Sequence, residues 1–170
     1  LASVRESKLP AKPAPNPSPP PARAAELSAT WKGIVPVEPH QYPEDDAVLL
    51  RRRHHLTLDG RPAISSEHED FIQILTAEGK HIGDFDLAYS PPEEELTILD
   101  CEVLRSDGEL MRVSKEEIRE SGGAPVHDYR TSRRKFFSMP GVGPGAILHV
   151  RYRTDWQDYP SQKAAFFMRN

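Results

Sequence analysis

Apolar and charged residues alternate with period two through much of the chain after Asp45. In AILHVRYRTDW, residues 146–156, Leu148, Val150, Tyr152 and Trp156 fall on one face. His149, Arg151, Arg153 and Asp155 fall on the other. Successive strand side chains point to opposite sides of a sheet, so the first set is expected in a core and the second in water. TILDCEVLR repeats the pattern, with Leu99, Cys101 and Val103 set against Asp100 and Glu102. DFDLAY sets Phe85, Leu87 and Tyr89 against Asp84, Asp86 and Ala88. A helix would scatter these apolar residues around its circumference.

Turn chemistry cuts the pattern into short strands. Asp59-Gly60, Glu78-Gly79 and Asp107-Gly108 each follow a strand-like run. Asp-Gly reaches positive φ cheaply and favours tight hairpins. Strands are predicted over 47–58, 66–77, 81–89, 96–105, 109–113, 128–139, 146–156 and 164–168. Ser114 followed by Glu117 has the spacing of a capping box and predicts a turn or two of helix over 114–119. The fold class is all-β, an antiparallel β-sandwich, with the folded domain over 44–170.

Proline distribution changes the picture for the N-terminus. Of 17 prolines, seven lie between Pro10 and Pro21. Proline fixes φ and lacks a backbone N–H, so this run is predicted to be an extended linker or tail over 1–43. The other use of such a run is as a ligand for an SH3-like groove. Trp31, Ile34 and Val35 could dock on the folded body. A linker also implies a segment on its far side.

Length and charge narrow the function. At 170 residues the chain has room for one domain and a tail. No apolar run reaches the roughly 18 residues of a membrane-spanning helix. A net charge of -4 argues against a general nucleic-acid binder. One cysteine excludes an intramolecular disulfide framework and a cysteine-rich zinc site.

Candidate chemistry is sparse. Cys101 with His127 and Asp128 could form a thiol triad, but Cys101 lies between Leu99 and Val103 on an apolar strand face. His54 and His55 are adjacent, so on a strand they point oppositely and cannot share a metal. His68 and Glu69 meet the same obstacle, and His81, His127 and His149 are scattered. No catalytic residue, metal ligand or cofactor is assigned. Basic residues cluster at Arg51-Arg52-Arg53, at Arg133-Arg134-Lys135, and at Arg151 with Arg153. Arg51, Arg53, Arg151 and Arg153 are the candidate binding residues if they line one positive face; solvated strand surfaces also carry such side chains. Glu93-Glu94-Glu95 is expected in a solvated loop. PGVGPG, residues 140–145, lacks a phosphate-loop lysine and is expected to join two strands.

The ordered series DAVLL, LTLDGR, FIQILTAEGK, YSPPEEELTILDCEVLRSDGELMRVSKEEIRES and DYRTSRRKFFSMPGVGPGAILHVRYR resembles a known pattern. It is similar to the bacterial domain of unknown function found N-terminal to transglutaminase-like domains. The most specific parts are SDGELMRVS (106–114) and FSMPGVGPGAILHVRY (137–152), and the resemblance covers about 46–170. It implies a β-sandwich, and a parent polypeptide that continues into a papain-like domain with a Cys-His-Asp triad. No residue here matches that triad, and Cys101 stands where the family tends to have a small residue.

The expectation is therefore a non-catalytic accessory sandwich that recognises or positions a protein or peptide substrate for a covalently linked transglutaminase-like domain. The expected compartment is extracytoplasmic, from the family context. Two alternatives stand beside it. One is a stand-alone hydrolase using Cys101 or a histidine-bound metal. The other is a purely structural spacer.

Overall fold

The computed structural model describes residues 29–58, 64–122 and 132–157. Among the described residues, eight strands form in chain order. They are β1 (Ala47–Leu58), β2 (Ile64–Ile74), β3 (Asp84–Tyr89), β4 (Glu94–Leu104), β5 (Leu110–Arg112), β6 (Arg119–Gly122), β7 (Arg133–Ser138) and β8 (Ile147–Trp156). A five-stranded sheet has the order β1-β2-β8-β4-β5, and a three-stranded sheet the order β3-β7-β6. All pairings are antiparallel. The chain is an all-β sandwich, as the alternation implies.

The main core lies between the sheets. Cys101, Val103, Leu148 and Val150 from the larger sheet meet Phe137 of β7, with Phe85 and Leu87 of β3 packed alongside. Val142 reaches this core from the connection between β7 and β8, where Gly141 and Gly145 both have positive φ. The PGVGPG stretch is thus a strand connection whose valine is a core plug.

The differences from expectation have local causes. A bulge between Ile98 and Asp100 shifts the phase of β4, so Ile98 joins Cys101 on the core face in place of Leu99. Glu94 and Glu95 belong to β4 and not to a loop. Glu94 accepts hydrogen bonds from the Trp156 indole and the Ser90 amide, both at 2.9 Å. The segment after β2 forms a 3-10 helix over Glu78–Gly83, so β3 begins at Asp84 and not at His81. Ser114 and Glu117 do form a capping box, around the 3-10 turn Lys115–Glu117. Most of the N-terminal tail, the triad candidates His127 and Asp128, and the strand expected over 164–168 lie outside the described residues.

The larger correction concerns the second face of β8. His149 is only 1% exposed, and Glu102 on β4 is buried too, although alternation places both in water. Trp31, from the 3-10 turn Ala29–Trp31, covers them. Trp31, Phe71 and Ile147 form a second cluster on the outer face of the larger sheet, with Ile34, Leu50, Leu104 and Leu110 against it. Trp31 and Ile34 therefore dock, whereas Val35 remains 72% exposed.

Candidate functional site

The outer face of the larger sheet carries one row of side chains across all five strands. Register places Arg51 of β1 opposite Phe71 of β2, Phe71 opposite His149 of β8, His149 opposite Glu102 of β4, and Glu102 opposite Arg112 of β5. Phe71 and His149 stack with centroids 4.3 Å apart, and the Arg51 guanidinium lies 4.3 Å from the Phe71 centroid. Trp31 sits on this row. Its ring meets Phe71 and His149 edge-on, at 5.2 and 5.7 Å between centroids. Its indole N–H donates to Glu102 Oε2 at 2.9 Å.

The backbone around Trp31 is gripped as well. Arg51 donates to the carbonyls of Thr30 at 2.8 Å and Lys32 at 3.3 Å. The Gln73 carboxamide accepts from the Val37 amide at 2.7 Å and donates to the Val37 carbonyl at 2.9 Å. One buried side chain thereby satisfies both backbone groups of a residue, as a neighbouring strand would. Segment 29–37 is held by an aromatic anchor at one end and a strand-like amide pair at the other.

Charges beneath the anchor are balanced. His149 Nε2 lies 3.1 Å from Glu69 Oε1, and His149 Nδ1 lies 3.5 Å from Glu102 Oε2. Arg112 donates to Glu102 Oε1 at 2.7 Å. Burial alone would raise the Glu102 carboxyl. The hydrogen bonds from Trp31 and Arg112, with the positive charge of Arg112, outweigh it and hold the group below its ordinary range.

Arg51, Arg53, Arg151 and Arg153 all project from this outer face, so the register brings the four together. They do not stand as an uncompensated positive patch. Arg51 and Arg53 approach Glu69 at 3.8 and 3.5 Å. Arg151 pairs with Asp100 at 2.8 Å and Glu67 at 3.3 Å, and Arg153 pairs with Asp155 at 2.8 Å. The face is a lattice of alternating charge. The cluster at 133–135 is on the other sheet, where Arg133 pairs with Glu120 and Arg134 with Asp86.

Cys101 lies in the inter-sheet core, and burial, with Asp100 and Glu102 nearby, pushes its thiol up to about 12. A thiol so placed stays protonated at neutral pH, and an activated nucleophile needs the opposite shift.

Residues 63–169 match a family described as a domain of unknown function with a solved structure, DUF3857. The chain belongs to the DUF3857 family. Strand β1 precedes the matched span and pairs with β2 along its whole length. No curated protein sequence matches the chain. Among solved structures, a "putative protease" from Parabacteroides distasonis is similar in fold, with a TM-score of 0.59 and 16% identity over 66% of this chain. The chain spans only 23% of that protein. A CBM3a-L domain from a scaffoldin of the Clostridium thermocellum cellulosome aligns at a TM-score of 0.37 and 9% identity, over 66% of this chain and 69% of its own length.

Proposed function

We propose that this DUF3857 domain is a non-catalytic accessory sandwich that holds extended polypeptide for a covalently linked, transglutaminase-like domain in an extracytoplasmic bacterial protein. One observation carries the reading. The outer sheet face grips residues 29–37 through Trp31, the Arg51 guanidinium and the paired Gln73 carboxamide. The Gln73 side chain pairs with the Val37 backbone as a neighbouring strand would, and Trp31 supplies the anchor that sets register; main-chain hydrogen bonds for affinity with side-chain pockets for specificity are the general terms of peptide recognition by sheets. The protonated, buried Cys101 favours a structural role for the thiol. The fold similarity to part of a longer protein described as a "putative protease", only 23% of which is covered, fits a module within a larger polypeptide.

The test is to express the polypeptide containing this chain with and without residues 45–170. Each form is then assayed on a protein substrate and on a small activated ester. Deletion is expected to raise KM for the protein substrate by about tenfold and to leave kcat/KM for the ester unchanged. Equal losses on both substrates, or a reading frame with no Cys-His-Asp domain, would overturn the proposal.

A further inference from the structure

Segment 29–37 meets the outer face of the larger sheet through a turn and two anchor points. The Ile34 amide donates to the Trp31 carbonyl at 3.2 Å, and Gly33 has a φ of +80°. A four-residue turn with positive φ at its third residue calls for glycine. Closing the turn brings Trp31 and Ile34 together on the cluster with Phe71 and Ile147. Lys32, Gly33, Val35 and Pro36 stay exposed.

The face reads little of that segment. Arg51 takes the carbonyls of Thr30 and Lys32, and Gln73 takes both backbone groups of Val37. These contacts ask for no particular side chain, except that position 37 must keep its N–H and so excludes proline. Selectivity falls on three positions: an indole N–H for Glu102, a glycine two residues on, and an aliphatic side chain three residues on. Glu102 makes the aromatic choice strict. It is buried, and a phenylalanine would cover Phe71 but leave Oε2 without the indole donor.

The two sides of the contact also differ in origin. Phe71, Gln73, Glu102, Ile147 and His149 lie within residues 63–169, the span that matches the DUF3857 family, and segment 29–37 lies before it. Apart from β1, the receiving surface belongs to the family domain and its occupant does not.

We propose that segment 29–37 is a resident, exchangeable occupant, and that the outer face takes in its place a Trp-x-Gly-aliphatic-x-x-(not Pro) segment of the polypeptide it holds. The inference rests on the peptide-holding reading and supplies its sequence class and its regulation. A tethered occupant competes at an effective concentration on the order of mM, so it closes the face to unmatched sequences and yields to matched ones.

Gly33 supplies the test, because it acts on the occupant alone. A Cβ there meets nothing within 4 Å, so a substitution strains the turn without touching the sheet. The probe is the peptide ATWKGIVPVE, residues 29–38, with a C-terminal fluorescein, titrated by fluorescence anisotropy into the 170-residue chain. The parent chain is expected to bind it weakly. Gly33→Val in the chain is expected to tighten binding by about tenfold, with Gly33→Ala between the two. The same Gly33→Val made in the peptide is expected to weaken binding by about tenfold. Trp31→Phe and Val37→Pro in the peptide are each expected to weaken it by about tenfold or more, and Lys32→Ser to leave it unchanged. Slow amide hydrogen exchange in β2, β4 and β8 shows in each chain that the face is folded. Equal affinity of the parent and both glycine variants, tight binding of a Trp31→Ala peptide, or no binding to any of the three chains would overturn the exchange. The reading it rests on fails separately, if deletion of residues 45–170 leaves KM for the protein substrate unchanged.

Discussion

Trp31 and Glu102, 71 positions apart in the chain, are joined by a 2.9 Å hydrogen bond from the indole N–H to Oε2 on the outer face of the larger sheet. This contact makes the N-terminal segment part of the folded body. Trp31→Ala removes the ring that covers Phe71 and His149 and leaves a buried carboxylate oxygen without its donor. The expected cost is about 3–5 kcal/mol, the usual range for truncating a buried tryptophan. Trp31→Phe keeps much of the packing and loses only the indole donor, so about 1–3 kcal/mol is expected. Urea unfolding of both variants checks the order. Equal stability of Trp31→Ala and the parent chain would show that segment 29–37 does not hold the face.

The same carboxylate sets an acid sensitivity. Glu102 is held below its ordinary value, near 4.5, in the folded protein. A depressed folded value means the unfolded chain binds the proton more readily. The stabilisation is therefore present above about pH 4.5 and lost as pH falls through the folded value. Glu102→Gln is expected to lower stability at pH 7 by about 1–3 kcal/mol and to flatten the loss below pH 4.5. Urea midpoints between pH 3 and pH 7 check it. A parallel fall in both proteins would place the acid sensitivity elsewhere.

Cys101 gives the opposite sign. Its folded value, about 12, lies above the ordinary 9.0. Its contribution to stability is complete below about pH 9 and is lost as pH rises toward 12. Native Cys101 is expected to react with a disulfide reagent at pH 8 far more slowly than the urea-unfolded chain, because both thiolate formation and access are suppressed. Comparable native and unfolded rates would show the thiol to be open.

The strands and the inter-sheet core were legible because period two survives in β3, β8 and most of β4. What the alternation could not show is what covers a second face. His149 has the sequence signature of a solvent-facing residue, and it is buried because Trp31, from a segment that otherwise reads as linker, lies over it. Nor could alternation show cross-strand neighbours. A two-residue turn at Asp59-Gly60 would set Leu58 against residue 61, and His54 against residue 65. The observed pairing is Leu58 with Ile64, which sets His54 against His68. That three-residue difference in loop length decides whether the two imidazoles meet. The arginines illustrate the same limit. Their side of the sheet follows from spacing, but Glu67, Glu69 and Asp100 reach them only through register.

Two glycines in the Glu78–Gly83 3-10 helix test the packing between the sheets and their connections. A Cβ on Gly83 would lie 2.7 Å from Val142 Cγ2, and one on Gly79 would lie 2.5 Å from the carbonyl oxygen of Asp46. Both distances are too short for contact, but the obstacles differ in kind. Val142 is a side chain on the connection between β7 and β8, and shortening it removes the clash. The Asp46 carbonyl is backbone, fixed by hydrogen bonds from the amides of Leu75 at 2.8 Å and Thr76 at 3.3 Å. Gly83→Ala is expected to cost about 1–3 kcal/mol by overpacking. In the Gly83→Ala/Val142→Ala pair, part of that cost is recovered, with a coupling of at least about 0.5 kcal/mol, because the new methyl fills space the valine has vacated. Gly79→Ala is expected to cost more than Gly83→Ala, and Val142→Ala is expected to give it no relief. Denaturant unfolding of the two alanine variants, each with and without Val142→Ala, separates the cases. Strict additivity at Gly83 would mean that Val142 does not pack against this helix.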